Sequence, residues 1–312
     1  MIIEDPQATE AFTPGGTSSA RWWIAARPTS PAPPPSRAAW RQLVAPADTV
    51  GIKVLSSPGP LSGTRPAVAE AVLTSLLEVG HPPGQVILWD RQMAPLRQAG
   101  FVTLAERHGV RVAASADAGY DTNEFYASAL LGQLVHGDLE FERQSDTLGR
   151  NSYVSRLVSQ QMTKIISITP LLNHNLAGVS GHLFSLALGS VDNVVRFTAD
   201  AGRLAVAVPE IYALPILGDR VVLNITDALL AQYSGEERTL LHYAAVLNQL
   251  RFSADPVALD VLSLGELERQ RERAGFPPVK PSLTLYRNAS LVEIGTSDPS
   301  QLLVERVVGV GP

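Results

Sequence analysis

The residues best placed to do chemistry lie in one stretch, Lys164–Phe197. An apolar run, Ile165 to Thr169, reads as a buried strand and delivers the polar corner Asn173-His174-Asn175. Gly178 follows, then a helix-like run, then a second polar corner at Asp192-Asn193 with Arg196. Open α/β sheets bind ligands where strands end beside helix starts. His174 in such a corner would serve as an acid/base group or a metal ligand, with Asn173, Asn193 and Arg196 as ligand contacts.

Other segments bring polar groups to strand ends: Lys53 after Thr49–Leu55, Asp90 after Gln85–Asp90, and Asp227 after Arg220–Thr226. In a parallel sheet such ends open on one side, so Lys53, Asp90, His174 and Asp227 are expected to converge. Asp255 and Asp260 join them from a helix start. In this reading Lys53 and His174 are the catalytic pair. Asp90, His174 and Asp227 form a metal set, with an imidazole and carboxylates suited to Zn, Mn or Fe. The ligand is a small anion or a divalent metal. Each residue also has a purely structural reading: Lys53 paired with a carboxylate, Asp90, Asp227 and Asp255 as helix caps, His174 bonded to backbone.

Several familiar sites are missing. There is no Gly-x-Ser-x-Gly elbow, no His-Glu-x-x-His zinc helix, and the Ser56–Thr64 loop lacks phosphate-loop spacing. His136, Asp138 and Glu140 alternate, and on a strand would share one face as chelators; a solvated polar edge is the plainer reading. With no cysteine at all, disulfides, thiolate zinc sites and a Cys-ligated iron–sulfur cluster are excluded.

The elements that must position these groups read as α/β. Thr49–Leu55, Pro66–Val79 and Gln85–Asp90 form a strand–helix–strand unit, with Pro66 in the first helical turn and Gly80 just past the end. A short helix at Pro95–Ala99 and a strand at Val110–Ser115 continue the alternation, which implies a mainly parallel or mixed sheet flanked by helices. Helices are expected near Phe125–Leu134, over Tyr153–Met162 and over Glu236–Leu250. Another is expected from Asp255-Pro256 to about Ala274, and a last strand over Leu302–Val308. Residues 1–39 read as an irregular lead-in, because Pro28, Pro31, Pro33, Pro34 and Pro35 exclude a helix; Trp22, Trp23 and Ile24 suit an anchor or edge strand. Residues 40–312 form one α/β domain, with a lobe boundary expected near 116–150.

The chain has 312 residues, 18% of them charged and 45% hydrophobic, with a formal net charge of -5. That composition fits a globular protein, and without a basic face it argues against nucleic-acid binding. No run of about 18 apolar residues suits a membrane span, and no signal-peptide pattern opens the chain, so it reads as cytoplasmic. The oligomeric state is not legible.

A set of blocks resembles a known family. VGIKV at Val50–Val54, ILWDR at Ile87–Arg91 and LRQAGF at Leu96–Phe101 come first. LNHNLAGVSG at Leu172–Gly181, DNVVRF at Asp192–Phe197, VVLNITDAL at Val221–Leu229 and SADPVALD at Ser253–Asp260 follow. Their order and spacing are similar to the bacterial family catalogued as domain of unknown function 362, from about Trp40 to Val308. The resemblance implies no assigned reaction; family members include twin-arginine-exported proteins and fusions to ferredoxin-like modules. It also marks departures. The family's Asn after the strand lysine is Leu55, its Thr-His-Pro is Thr64-Arg65-Pro66, its Lys-Asp/Asn-His is Leu172-Asn173-His174, and a Lys-Asn pair is Phe184-Ser185. A Gly-Gly-Pro is replaced near Gly235-Glu236-Glu237. Three readings follow: the first two are a polar pocket that binds a small anion or metal, and a non-catalytic binding or assembly protein with a degenerate site. An accessory partner of an iron–sulfur redox protein is the third.

Overall fold

The computed structural model describes residues 1–6, 8–10, 13–14, 37–143, 147–277 and 282–308. The expected anchor at Trp22, Trp23 and Ile24 and the prolines from Pro28 to Pro35 lie outside the described residues. Among the described residues no helix is long and apolar enough to cross a membrane.

The strands of the main sheet and of its two-stranded arm are β1 (Ile2–Glu4), β2 (Val50–Val54), β3 (Val86–Asp90), β4 (Arg111–Ala114), β5 (Tyr120–Gln133), β6 (Leu148–Ser155), β7 (Lys164–His174), β8 (Val221–Gln232), β9 (Ala244–Ser253) and β10 (Arg306–Val308). The main sheet runs β10-β1-β9-β8-β7-β2-β3-β4, with Gly178–Val179 added beside β7. The five strands from β8 to β4 are mutually parallel, and β9 is antiparallel to both β8 and β1. The chain is therefore an α/β protein with a mixed, mainly parallel sheet, as its alternation of strands and helices implies.

The central parallel strands β2, β3 and β7 are buried along most of their length because both faces are covered. Side chains alternate between two cores. Val86 and Leu88 face one core with the helix α1 (Pro66–Glu78) and α2 (Phe101–His108). Ile87 and Trp89 face the other, with α3 (His182–Ser190), α4 (Ala201–Tyr212), α5 (Pro256–Arg273) and α6 (Thr284–Leu291). Pro66 opens α1, and Gly80, at φ +92°, follows its end.

Four expectations are corrected. The lead-in is not irregular throughout: Ile2–Glu4 is a strand whose backbone fills the gap between β9 and β10. Phe125–Leu134 is not a helix but most of β5, which pairs with β6 in a separate two-stranded arm. Tyr153–Met162 is the end of β6 and then one π-helical turn at Leu157–Gln161. Glu236–Leu250 is a loop followed by β9. In β5, the end of β6 and β9, pairing with another strand overrides a local helical preference.

Candidate functional site

Lys53 sits on β2 between Ile52 and Val54, so it points away from their core toward the α3 side. It is fully buried, and its ammonium donates to Asp90 Oδ1 at 2.7 Å, to the Val54 carbonyl at 2.7 Å and to Ser185 Oγ at 3.1 Å. It also lies 5.6 Å from the Trp89 ring centroid. All three donors of the lysine are thus occupied. Gly189 on α3 makes room for it: a Cβ there would come within 2.5 Å of Lys53 Cε. Asp90 takes three further donors, Ser56 N, Ser56 Oγ and Arg91 N. The pair is a closed internal salt bridge.

Above this pair is a cavity of about 250 Å³, lined by Asp90, Arg91, Phe184, Ser185, Leu188 and Glu237 among others. It lies at the carboxyl end of β3, on the side of the sheet where open α/β folds hold ligands. Its size suits a compact ligand rather than one of drug size, for which pockets of roughly 300–1,000 Å³ are usual.

Asp227, on β8, belongs to a different network. It is fully buried and accepts from Arg65 Nη1 at 2.8 Å and Arg65 N at 3.0 Å, while Arg65 Nη2 donates to the Leu61 carbonyl. Its carboxylate occupies the N-terminus of α1, where the helix dipole favours an anion. The aspartate fills that position itself.

His174 and Asn173 are placed elsewhere again. β7 runs six residues past Ile168, which pairs with the end of β2, before it reaches His174. There it turns back, pairing Asn173 with Val179 and His174 with Gly178. His174 Nδ1 accepts the Leu176 and Ala177 N–H groups at 3.2 and 3.1 Å, which assigns the proton to Nε2. Burial lowers the pKa of the imidazole, opposed by Glu236. Its ring packs on Phe184 with centroids 4.3 Å apart. Asn173 Oδ1 accepts from Glu236 N.

The second corner serves the β5–β6 arm. The Asp192 carboxylate accepts from Tyr153 N and Leu139 N. Burial pushes its pKa up to about 7, against those two hydrogen bonds and with Asp138 and Glu140 nearby. Asn193, at φ +44°, donates from Nδ2 to the Asn151 carbonyl and from its backbone to Asp138. The register of the arm slips between Ala127 and Gly132. Arg196 fills the resulting bulge, donating to the Leu130 and Arg150 carbonyls and to Ser128 Oγ and Ser152 Oγ. His136 and Asp138 precede the short helix Leu139–Arg143, which holds Glu140, so the three do not share a strand face.

Asp255 caps α5 through Ala258 N at 2.8 Å and also accepts Thr296 N. Asp260, fully buried, accepts His182 N and Leu183 N at the start of α3, and burial pushes its pKa up to about 7.

The expected convergence is therefore replaced by separate local networks. Lys53 and Asp90 meet at the cavity; Asp227, His174, Asn173, Asn193, Arg196, Asp255 and Asp260 each hold a strand, turn or helix end. The shared metal set of Asp90, His174 and Asp227 is not assembled, and among the described residues no group of three or more His, Asp or Glu could hold a metal ion. Sequence reasoning missed Arg65 as the partner of Asp227, and Arg91, Ser185 and Glu237 as cavity residues. Arg91 carried a signal, since it follows the strand-end Asp90 directly. It also missed His182, buried among Ser167, Thr169 and Thr226 hydroxyls, with its pKa pushed down to about 3 by burial.

No family model matches the chain, and no curated protein matches it. A crystal structure of a Thermotoga maritima protein from a structural-genomics consortium is similar at a TM-score of 0.43 and 14% identity. The match covers 86% of this chain and 60% of that one, so the chain spans about 60% of the length of that protein.

Proposed function

We propose that this chain is a non-catalytic α/β binding protein that holds a small carboxylate in the cavity at the carboxyl end of β3, with Arg91 as the anion contact. One contrast within the cavity carries the reading. Lys53 and Asp90 satisfy each other beneath it, whereas Arg91 on its wall, with the neutral Tyr120 hydroxyl as a side-chain partner, meets no carboxylate at ion-pair distance among the described residues. A planar guanidinium at the edge of a small, half-apolar space suits a planar carboxylate. Binding is preferred to catalysis because the groups expected to transfer protons are committed. The three Lys53 protons have protein acceptors, and the His174 Nδ1 lone pair receives two backbone N–H groups. A metal does not enter this reading, since Asp90 and Asp227 each receive several internal donors.

Kinship with the domain of unknown function 362 family is part of the proposal. Arg65, where that family has His, and Phe184-Ser185, where it has Lys-Asn, then mark a site converted from an open polar pocket to internal pairing.

The test is thermal unfolding and calorimetry with a panel of small monocarboxylates. A ligand at a hundredfold excess over its Kd adds about 2.7 kcal/mol of stability, which raises Tm by several degrees. Arg91→Ala is expected to weaken binding by about tenfold or more, the usual range for a hydrogen bond to a charged group. The proposal fails if no carboxylate shifts Tm at millimolar concentration, or if the variant binds as tightly as the native protein.

A further inference from the structure

We infer that the ligand of this cavity is a zwitterion of amino-acid size, its carboxylate on Arg91 and its ammonium on Glu237; the inference rests on the reading of the cavity just given. Arg91 and Glu237 both line the same space of about 250 Å³. Neither forms an ion pair within the chain among the described residues. The charges below them cancel, because Asp90 is neutralised by Lys53 at 2.7 Å. The cavity therefore presents one positive and one negative group with no surplus of either sign.

That balance discriminates between ligand classes. A phosphate or dicarboxylate needs surplus positive charge or free backbone N–H groups. Ser57 and Gln92 add only neutral groups to the lining, and several charged or backbone donors beside the site are already taken. Ser56 N and Arg91 N donate to Asp90, and the first N–H groups of α3 donate to Asp260. A simple carboxylate would leave Glu237 facing an apolar ligand, and an amine would do the same to Arg91. A molecule with both charges satisfies both groups. Part of the lining is apolar: Leu55, Phe184, Leu188 and Val194 offer a surface for an aliphatic or aromatic side chain. Phe184 is braced from behind by the His174 ring at 4.3 Å, so that wall is supported. The volume limits the ligand to a single amino acid rather than a peptide or nucleotide.

The experiment uses the full chain and matched probes: several amino acids, each with its des-amino acid and its decarboxylated amine, for example leucine, isocaproate and isoamylamine. Calorimetry on the native protein is expected to show at least one amino acid bound threefold or more tightly than its des-amino acid. A charge pair at the rim of a cavity gives a factor of a few, not of hundreds. Glu237→Gln should erase that preference, so that the amino acid and its des-amino acid bind alike. Glu237 is exposed, so the variant is expected to fold, and its thermal midpoint without ligand checks this. The inference is overturned if no amino acid binds, if the des-amino acids bind as well as the amino acids, or if Glu237→Gln keeps the preference. Binding of carboxylates that depends on Arg91 but ignores the amine would overturn the zwitterion and leave the carboxylate site standing. Binding that ignores Arg91 would remove both.

Discussion

Replacing Asp90 by Asn leaves the Lys53 ammonium buried with no counter-charge. The native pair has an N–O distance of 2.7 Å and almost no exposed surface on either side chain. Removing one partner of such a buried pair costs about 3–5 kcal/mol, a large part of the roughly 5–15 kcal/mol that holds a domain together. The two single variants should not be equal. With Lys53→Met the Asp90 carboxylate keeps three donors, Ser56 N, Ser56 Oγ and Arg91 N. With Asp90→Asn the ammonium keeps only neutral acceptors, among them the Val54 carbonyl and Ser185 Oγ. Asp90→Asn is therefore expected to be the more damaging. The double variant Lys53→Met with Asp90→Asn should cost less than Asp90→Asn alone, because the uncompensated charge is gone. The assay is equilibrium unfolding in urea at neutral pH, with unchanged m values as the check that one transition is being compared. Single variants that each cost less than about 1 kcal/mol, or a double variant that costs their sum, would refute the closed pair.

Three further outcomes are expected. Arg196→Ala leaves the Leu130 and Arg150 carbonyls of the bulge without their donor, so hydrogen exchange should rise across β5 and β6 and stay unchanged in β2, β3 and β7. Arg196→Lys should recover only part of the protection, since one ammonium cannot reproduce the fork; equal protection in all three proteins would count against this role. The Asp260 carboxyl, raised by burial to about 7 from an ordinary value near 4, stays protonated in the fold while the unfolded chain has lost its proton. Its contribution to stability is present below pH about 4 and falls as pH rises toward 7, by at most about 1.4 kcal/mol per pH unit. Asp260→Asn should remove that slope, read as urea midpoints between pH 5 and 8; parallel curves for variant and native protein would contradict it. His182, pushed down to about 3, acts with the opposite sign: its contribution is present above pH 6.5 and is lost as acid is added.

Much of the fold could be read locally. The strands around Val50–Val54, Val86–Asp90 and Arg111–Ala114 are short apolar runs bounded by turn residues, and α1 carries its own proline start and glycine end. Asp255-Pro256 announces α5 because a capping side chain and a ring with fixed φ act within one turn. The structural alternatives for single residues were equally legible: Lys53 beside a carboxylate, Asp255 as a cap, His174 bonded to backbone.

The partners were not legible. Lys53 and Asp90 are 37 residues apart, and Arg65 and Asp227 are 162 apart. The β5–β6 arm is sheet rather than helix because two strands and a guanidinium from another element hold it. By itself the sequence determined an α/β chain with apolar strands, particular helix ends and acidic or basic groups at strand termini, since those depend on backbone preference within a few residues. Only the tertiary structure decided which charges neutralise one another and that Arg91 and Glu237 line the same cavity. A buried charge must find a counter-charge or a donor in space, and the order of residues along the chain does not specify which one it meets.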